Sequence, residues 1–176
     1  MDAIYTLAQA TADISYEKLP ADVVEVTKKQ ILDSLAVALA GSTAPGIGEL
    51  IEIVKDWGGK KESSLWVYGG KLPCVSAAQA NATMIHAWDF DDTHDAAVLH
   101  PSATVVPTGL AIAERLGGVD GKKLITAVAL GVDISSRLCL ATIVPMVERG
   151  WHFTALHGGF GAAAVAGKLL GLDEER

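Results

Sequence analysis

Between residues 86 and 100 the chain reads His-Ala-Trp-Asp-Phe-Asp-Asp-Thr-His-Asp-Ala-Ala-Val-Leu-His, which packs three histidines, four aspartates and one threonine into fifteen positions. A second segment, Gly150-Trp151-His152-Phe153-Thr154, supplies another histidine 52 positions beyond His100. Imidazoles exchange protons near neutral pH, a carboxylate can orient an imidazole, and a hydroxyl can donate to a developing negative charge. An aspartate, the threonine hydroxyl and two histidines supplied by these separate segments could therefore hold a carboxylate substrate and move its protons.

Other readings compete for the same residues. Asp89-Phe90-Asp91-Asp92-Thr93 has the D-x-D-x-T form of a magnesium-dependent phosphatase of haloacid-dehalogenase type, a chemistry that needs the loop at the carboxyl edge of a parallel sheet. Asp89, Asp91, Asp92 and Asp95 could offer oxygens to a hard cation, but the glycine and bidentate glutamate of a calcium loop are missing. His94 and His100 with these aspartates match no standard transition-metal spacing. The plainest reading is a solvated loop, with Asp91 and Asp92 as helix caps or anchors, His94 and Asp95 facing water, and His86 packed and hydrogen-bonded. Trp88, Phe90 and Trp151 line a cavity in one reading and fill space beside Ala-rich helices in the other.

The elements around these residues read as helices. Asp2 can cap a first helix carrying Ile4, Leu7 and Ala8. Pro20 opens a long second helix over about 21–40, with Val24, Ile31, Leu35 and Leu39 at helical spacing on its inward face. Pro45-Gly46 opens a third, with Ile47, Leu50, Ile51, Ile53 and Val54 inside, and Trp57-Gly58-Gly59 closes it. Ser64 to Tyr68 is the one extended run, so at most a short hairpin is expected near 64–72. Pro73 begins a small-residue helix ending near Ala87. A further helix over 101–116 is expected to be kinked or restarted at Pro107, which lacks the N–H its turn would donate, and to close at Gly117-Gly118. Asp120 caps a helix over about 122–141 that is apolar except for the i,i+4 pair Asp133 and Arg137, and Thr154 is the expected cap of a glycine- and alanine-rich helix over 154–170. The prediction is one all-α domain, residues 1–176, of about six to eight helices.

Composition narrows the class further. Half of the residues are apolar and 20% charged, and the net charge of −7 leaves nucleic acid and anionic membranes as poor partners. Cys74 and Cys139 have no paired spacing and read as core residues of a chain in a reducing, cytoplasmic setting. No apolar run is long enough to span a bilayer. Gly158-Gly159-Phe160-Gly161 follows no strand and lacks dinucleotide-binding spacing. Leu169-Leu170-Gly171-Leu172 has the form of a helix C-cap, and Asp173-Glu174-Glu175 that of a new helix start, so the chain reads as the front part of something longer.

The strings HAWDFDDTHDAAVLHPSATVVP, GWHFTALHGGFGAAAVAGKLLGL and LPADVVEVTKKQILDSLAVALAG together resemble the N-terminal helical domain of the MmgE/PrpD family, which includes 2-methylcitrate dehydratase, cis-aconitate decarboxylase and iminodisuccinate epimerase. The resemblance covers essentially the whole chain in order. It implies a lyase or isomerase acting on small di- or tricarboxylates without redox cofactor or metal, commonly as a homodimer. The site residues it implies are Asp89, Thr93, His100 and His152, with His100 and His152 binding the substrate carboxylate and transferring the proton, Asp89 orienting or transferring, and Thr93 donating a hydrogen bond. It also implies a smaller α/β domain that completes the cleft with further site residues and has no counterpart here, so this chain alone is expected to turn over little. Dehydration is the expected reaction; the non-enzyme alternative is a helical dimerisation or binding module. His157 stands where the family more often has a small residue.

Overall fold

A computed structural model describes residues 3–144, 146–173 and 175. Asp2, the expected first cap, and Glu174 in the expected new helix start lie outside these residues. Seven α-helices form among the described residues: α1 (Ala3–Asp13), α2 (Ala21–Gly41), α3 (Ile47–Trp57), α4 (Cys74–His86), α5 (Ser102–Arg115), α6 (Gly121–Leu140) and α7 (Phe153–Leu170). A 3-10 turn (Tyr16–Lys18) joins α1 to α2, and a two-residue antiparallel hairpin, β1 (Ser63–Ser64) with β2 (Lys71–Leu72), joins α3 to α4. The domain is all-α, as its periodicities predict, and no described helix is long and apolar enough to cross a membrane.

Several local signals form as read. Asp120 Oδ1 accepts the Lys122 amide at 2.8 Å to cap α6, and Arg137 Nε donates to Asp133 Oδ2 at 2.7 Å on its surface. Gly171 sits at φ +71°, and the Leu172 and Gly171 amides return to the carbonyls of Gly167 and Lys168, which closes α7 with both bonds of a Schellman cap. α5, in contrast, does not restart at Pro107 but runs through it as one helix.

Three elements depart from the sequence reading. In α2 the core face is Val24, Thr27, Ser34, Ala38 and Gly41, whereas Leu35 and Leu39 point outward, Leu39 with 62% of its surface exposed. The reason is close approach: a Cβ at Gly41 would lie against the Met84 carbonyl of α4, so only small side chains fit that face. The same outward turn puts Ile53 of α3 on the surface while Ile47, Ile51 and Val54 are buried. The Ser64–Tyr68 run is extended only at its start, because Val67 takes φ +62° in a turn and Tyr68 donates its hydroxyl to the Ser42 carbonyl.

The core is divided. One cluster joins α3, α4 and the hairpin through Ile51, Val54, Leu65, Met84 and Ile85; a second joins α5, α6 and α7 through Val105, Val106, Ala127, Val128, Val165 and Leu169. α6 crosses α7 where Gly131 faces Gly161: a Cβ on Gly161 would stand 2.7 Å from the Gly131 carbonyl oxygen. That contact lets two backbones meet and fixes where α7 begins. Cys74 and Cys139 are both buried and unpaired.

Candidate active site

The connection from α4 to α5 is a loop held at many points. His94 N donates to the Leu99 carbonyl at 2.8 Å in an isolated antiparallel bridge, and the Ala97 amide donates to the His94 carbonyl and to His94 Nδ1. Beneath the bridge, Ala97, Leu99 and Cys139 form a small buried cluster with Phe153 packed against it, and Cys139 Sγ donates to the Ala97 carbonyl at 3.0 Å. Asp92 ties the loop to two helices: it accepts the Ser102 amide at 3.1 Å, the Ser102 hydroxyl at 2.8 Å and Gln30 Nε2 at 2.9 Å. Burial pushes the Asp92 carboxyl above its usual range, and these hydrogen bonds oppose that shift. Asp92 is therefore an anchor, and the loop carries the backbone strain of Asp89 at φ +50° and Val98 at φ +51°.

What this clamping positions is a group of imidazoles. His86, at the C-terminal end of α4, has its ring centroid 4.8 Å from that of His100 and 5.2 Å from that of His152. The two histidines that the sequence pairs over 52 positions thus flank a third. His100 leads into α5, and its amide donates to Thr154 Oγ1 at 3.1 Å. Thr154 is buried and does not cap α7; His152 is the cap, its Nδ1 accepting the Ala155 amide at 3.4 Å. The expected cap is displaced by two residues because Thr154 is drawn inward to His100.

Asp91 is the carboxylate at the centre. Its side chain is 1% exposed, and His86 Nδ1 lies 3.2 Å from Oδ1 and 3.1 Å from Oδ2. The hydrogen bond from His86 to Asp91 raises the His86 pKa above its ordinary value, against a lowering by burial, with the charges of Asp91 and Asp89 adding to the rise. His100 Nδ1 stands 3.4 Å from Asp91 Oδ1, within ion-pair reach but outside hydrogen-bond geometry, so that buried nitrogen has no hydrogen-bond partner. His86, Asp91 and His100 bring ligand-type atoms within 4.8 Å of one another and are the residues that could hold a metal ion among those described.

Asp89 lies at the edge, 74% exposed and 3.6 Å from His86 Nδ1. Thr93 is exposed, its hydroxyl 3.5 Å from the Asp91 carbonyl. A cleft of about 280 Å³ opens beside these groups, lined by His86 and His152, by Thr83, and by Ala103, Thr104, Thr154 and Ala155 from the first turns of α5 and α7. Trp88, Phe90 and Trp151 are exposed around it and do not fill the interior. His157 is buried, bonded to Thr142 Oγ1 and to the Phe153 carbonyl, which makes it part of the α7 framework. The magnesium phosphatase reading lacks its support: Asp89 follows a helix, and the hairpin is the only sheet among the described residues.

The sequence reading underweighted His86 and Asp91. The available signal was their spacing, a helix-terminal histidine five residues before an aspartate, which is also the pattern of an ordinary packed pair.

Residues 5–176 match the MmgE/PrpD N-terminal domain family. The chain is similar to a protein named cis-aconitate decarboxylase from Aspergillus terreus, 31% identical over 166 residues, which cover 92% of this chain and 34% of that protein. Proteins of the same name from Homo sapiens (31% over 159 residues, 88% of this chain and 33% of the relative) and Mus musculus (30% over 155 residues, 85% and 32%) are similar to the same degree. The chain spans about a third of the length of these relatives.

Proposed function

We propose, from the premise that this chain belongs to the MmgE/PrpD family, that its histidine-lined cleft is the helical-domain part of a lyase site that acts on a small tricarboxylate by proton transfer next to a carboxylate. The observation that carries this reading is the convergence of His100 and His152 about His86, beside a cleft into which the first turns of α5 and α7 also project. Three imidazoles and the N-terminal ends of two helices suit an anionic ligand.

Decarboxylation is favoured over the dehydration expected from the sequence, because the relatives carry the name cis-aconitate decarboxylase. In that reaction the bond from a CH2 carbon to its carboxylate breaks, its electron pair forms a new double bond to the adjacent carbon, and the pair of the old carbon–carbon double bond moves to the far carbon. The far carbon then takes a proton from an imidazolium, so one carbon dioxide leaves and one proton is consumed. His152 and His100 are the proton-transfer candidates, and Asp89 and Thr93 complete the rim as orienting and hydrogen-bonding groups. No metal or redox cofactor enters this scheme.

The cleft is open on one side, and in the working enzyme a second domain closes it, excluding water that otherwise competes for each charged contact. A homodimer in a reducing compartment such as the cytoplasm belongs to the same reading. The test is product analysis by carbon-13 NMR with labelled cis-aconitate, using a protein of the relatives' length that contains this chain. Carbon dioxide and a methylene product are expected, with turnover lowered on the order of 10²-fold or more by His152→Ala. A hydrated product and no carbon dioxide would favour dehydratase chemistry. Absence of both products, with no tricarboxylate binding, would leave the helical binding module.

A further inference from the structure

We propose that His86 and Asp91 form an unassigned functional pair in this cleft: Asp91 is a positioning residue that holds the Nδ1 edge of His86, and His86 receives one carboxylate of the substrate. The inference deepens the tricarboxylate reading and rests on it.

The geometry carries the assignment. A histidine has two ring nitrogens, and His86 commits Nδ1 to both oxygens of Asp91 at 3.1 and 3.2 Å. Only Nε2 remains, no described residue hydrogen-bonds to it, and His86 lines the cleft together with His152. Asp91 itself does not line the cleft and its side chain is 1% exposed, so it acts through the imidazoles and not on the ligand. The pair is also asymmetric. His86 is hydrogen-bonded to Asp91, whereas His100, 3.4 Å from the same carboxylate, has a buried Nδ1 without a hydrogen-bond partner. One carboxylate thereby engages one imidazole and stands beside the other without a hydrogen bond to it.

The titratable groups facing His86 are Asp91 and Asp89 from the loop, His100 at the entrance to α5 and His152 at the cap of α7. Two carboxylates favour its charged form, and the direction of its pKa agrees with that. A cationic imidazole whose free N–H lines a cleft between two helix N-terminal turns is a carboxylate receptor in its chemistry. As pH rises through the elevated pKa of His86, the proton leaves and so does the attraction.

The experiment is an NMR titration of the histidine ring signals of this chain, alone and with tricarballylate, a saturated tricarboxylate that offers no double bond for the reaction. His86 is expected to titrate above the ordinary imidazole value. Asp91→Asn should lower its midpoint while the rings stay dispersed, and Asp91→Glu should restore part of it. Tricarballylate should raise the His86 midpoint further, and His86→Gln should weaken its binding on the order of tenfold. Tricarballylate binding that is unchanged in His86→Gln overturns the proposal. So does tricarballylate that shifts His100 and His152 but leaves His86 unmoved, an outcome that preserves the tricarboxylate reading. No shift at any of the three histidines sinks that reading itself, even where the His86–Asp91 proton coupling is found.

Discussion

Two regions of the domain present cavities with different side chains in their walls. Beneath α1 lie grooves of about 430 and 330 Å³, walled by Leu7, Ile14, Leu130, Ile134, Leu138 and similar side chains. Beside the α4–α5 loop lies a cleft of about 280 Å³ with two histidines in its wall and a buried carboxylate behind them. The grooves beneath α1 carry no histidine, and α1 above them buries none of its residues. The smaller cleft has its histidines tied by hydrogen bonds, His86 to Asp91 and His152 to the Ala155 amide. Of these three spaces, the convergence of imidazoles and not the volume marks the site.

The sharpest way to break the contrast is to cut the clamp of the loop. Asp92→Ala leaves the Ser102 amide, the Ser102 hydroxyl and Gln30 without their shared acceptor, so the expected loss is about 3 kcal/mol by denaturant unfolding, with the His86 and His100 signals losing dispersion. Asp92→Asn should keep part of both.

The helix crossing gives the next effect. Gly161→Ala drives a methyl towards the Gly131 carbonyl, and the overpacking, partly offset by the better helix propensity of alanine, is expected to cost about 1 to 2 kcal/mol and to move His152 away from His86. Loss of stability with the His86–His152 contact intact would show that α7 is positioned by its cap alone.

A smaller effect follows from pH. The His86 pKa is raised in the folded chain, so the stability its pairing with Asp91 contributes is fully present below the unfolded imidazole value of about 6.5 and is lost as pH rises through the folded value. Denaturation midpoints measured across that window should fall with rising pH in the unsubstituted chain and flatten in His86→Gln.

The smallest effect belongs to the other region. Lys168 Nζ donates to the Thr11 and Ala12 carbonyls and so caps α1, while burial lowers its pKa. Lys168→Met should cost less than about 1 kcal/mol and loosen α1 in hydrogen exchange, with the histidine titrations unchanged.

The same contrast explains what the sequence made legible. Helix ends written in local chemistry, such as the Asp120 cap and the Gly171 C-cap, were readable because their partners lie within five residues. The inward face of α2 was not. Leu35 and Leu39 carry the hydrophobic period, but the contact between Gly41 and Met84, 43 positions apart, decides which face turns in. Thr154 shows the same limit: it has the chemistry of a cap, yet a backbone amide 54 positions away takes its hydroxyl. Within the site, histidines on separate segments could be read as partners from the need of proton transfer for paired groups. The burial that makes Asp91 central and Asp89 peripheral depends on how the loop folds over Leu99 and Cys139, which neighbouring residues do not encode.

The central claim is that the small histidine-lined cleft and not the larger grooves beneath α1 takes a tricarboxylate. A crystal structure of the chain soaked with tricarballylate tests it most directly. The account predicts carboxylate oxygens about 2.7 to 3.1 Å from His86 Nε2 and from the His152 ring, between the first turns of α5 and α7. Tricarballylate seated beneath α1, with the histidine cleft empty, would contradict it.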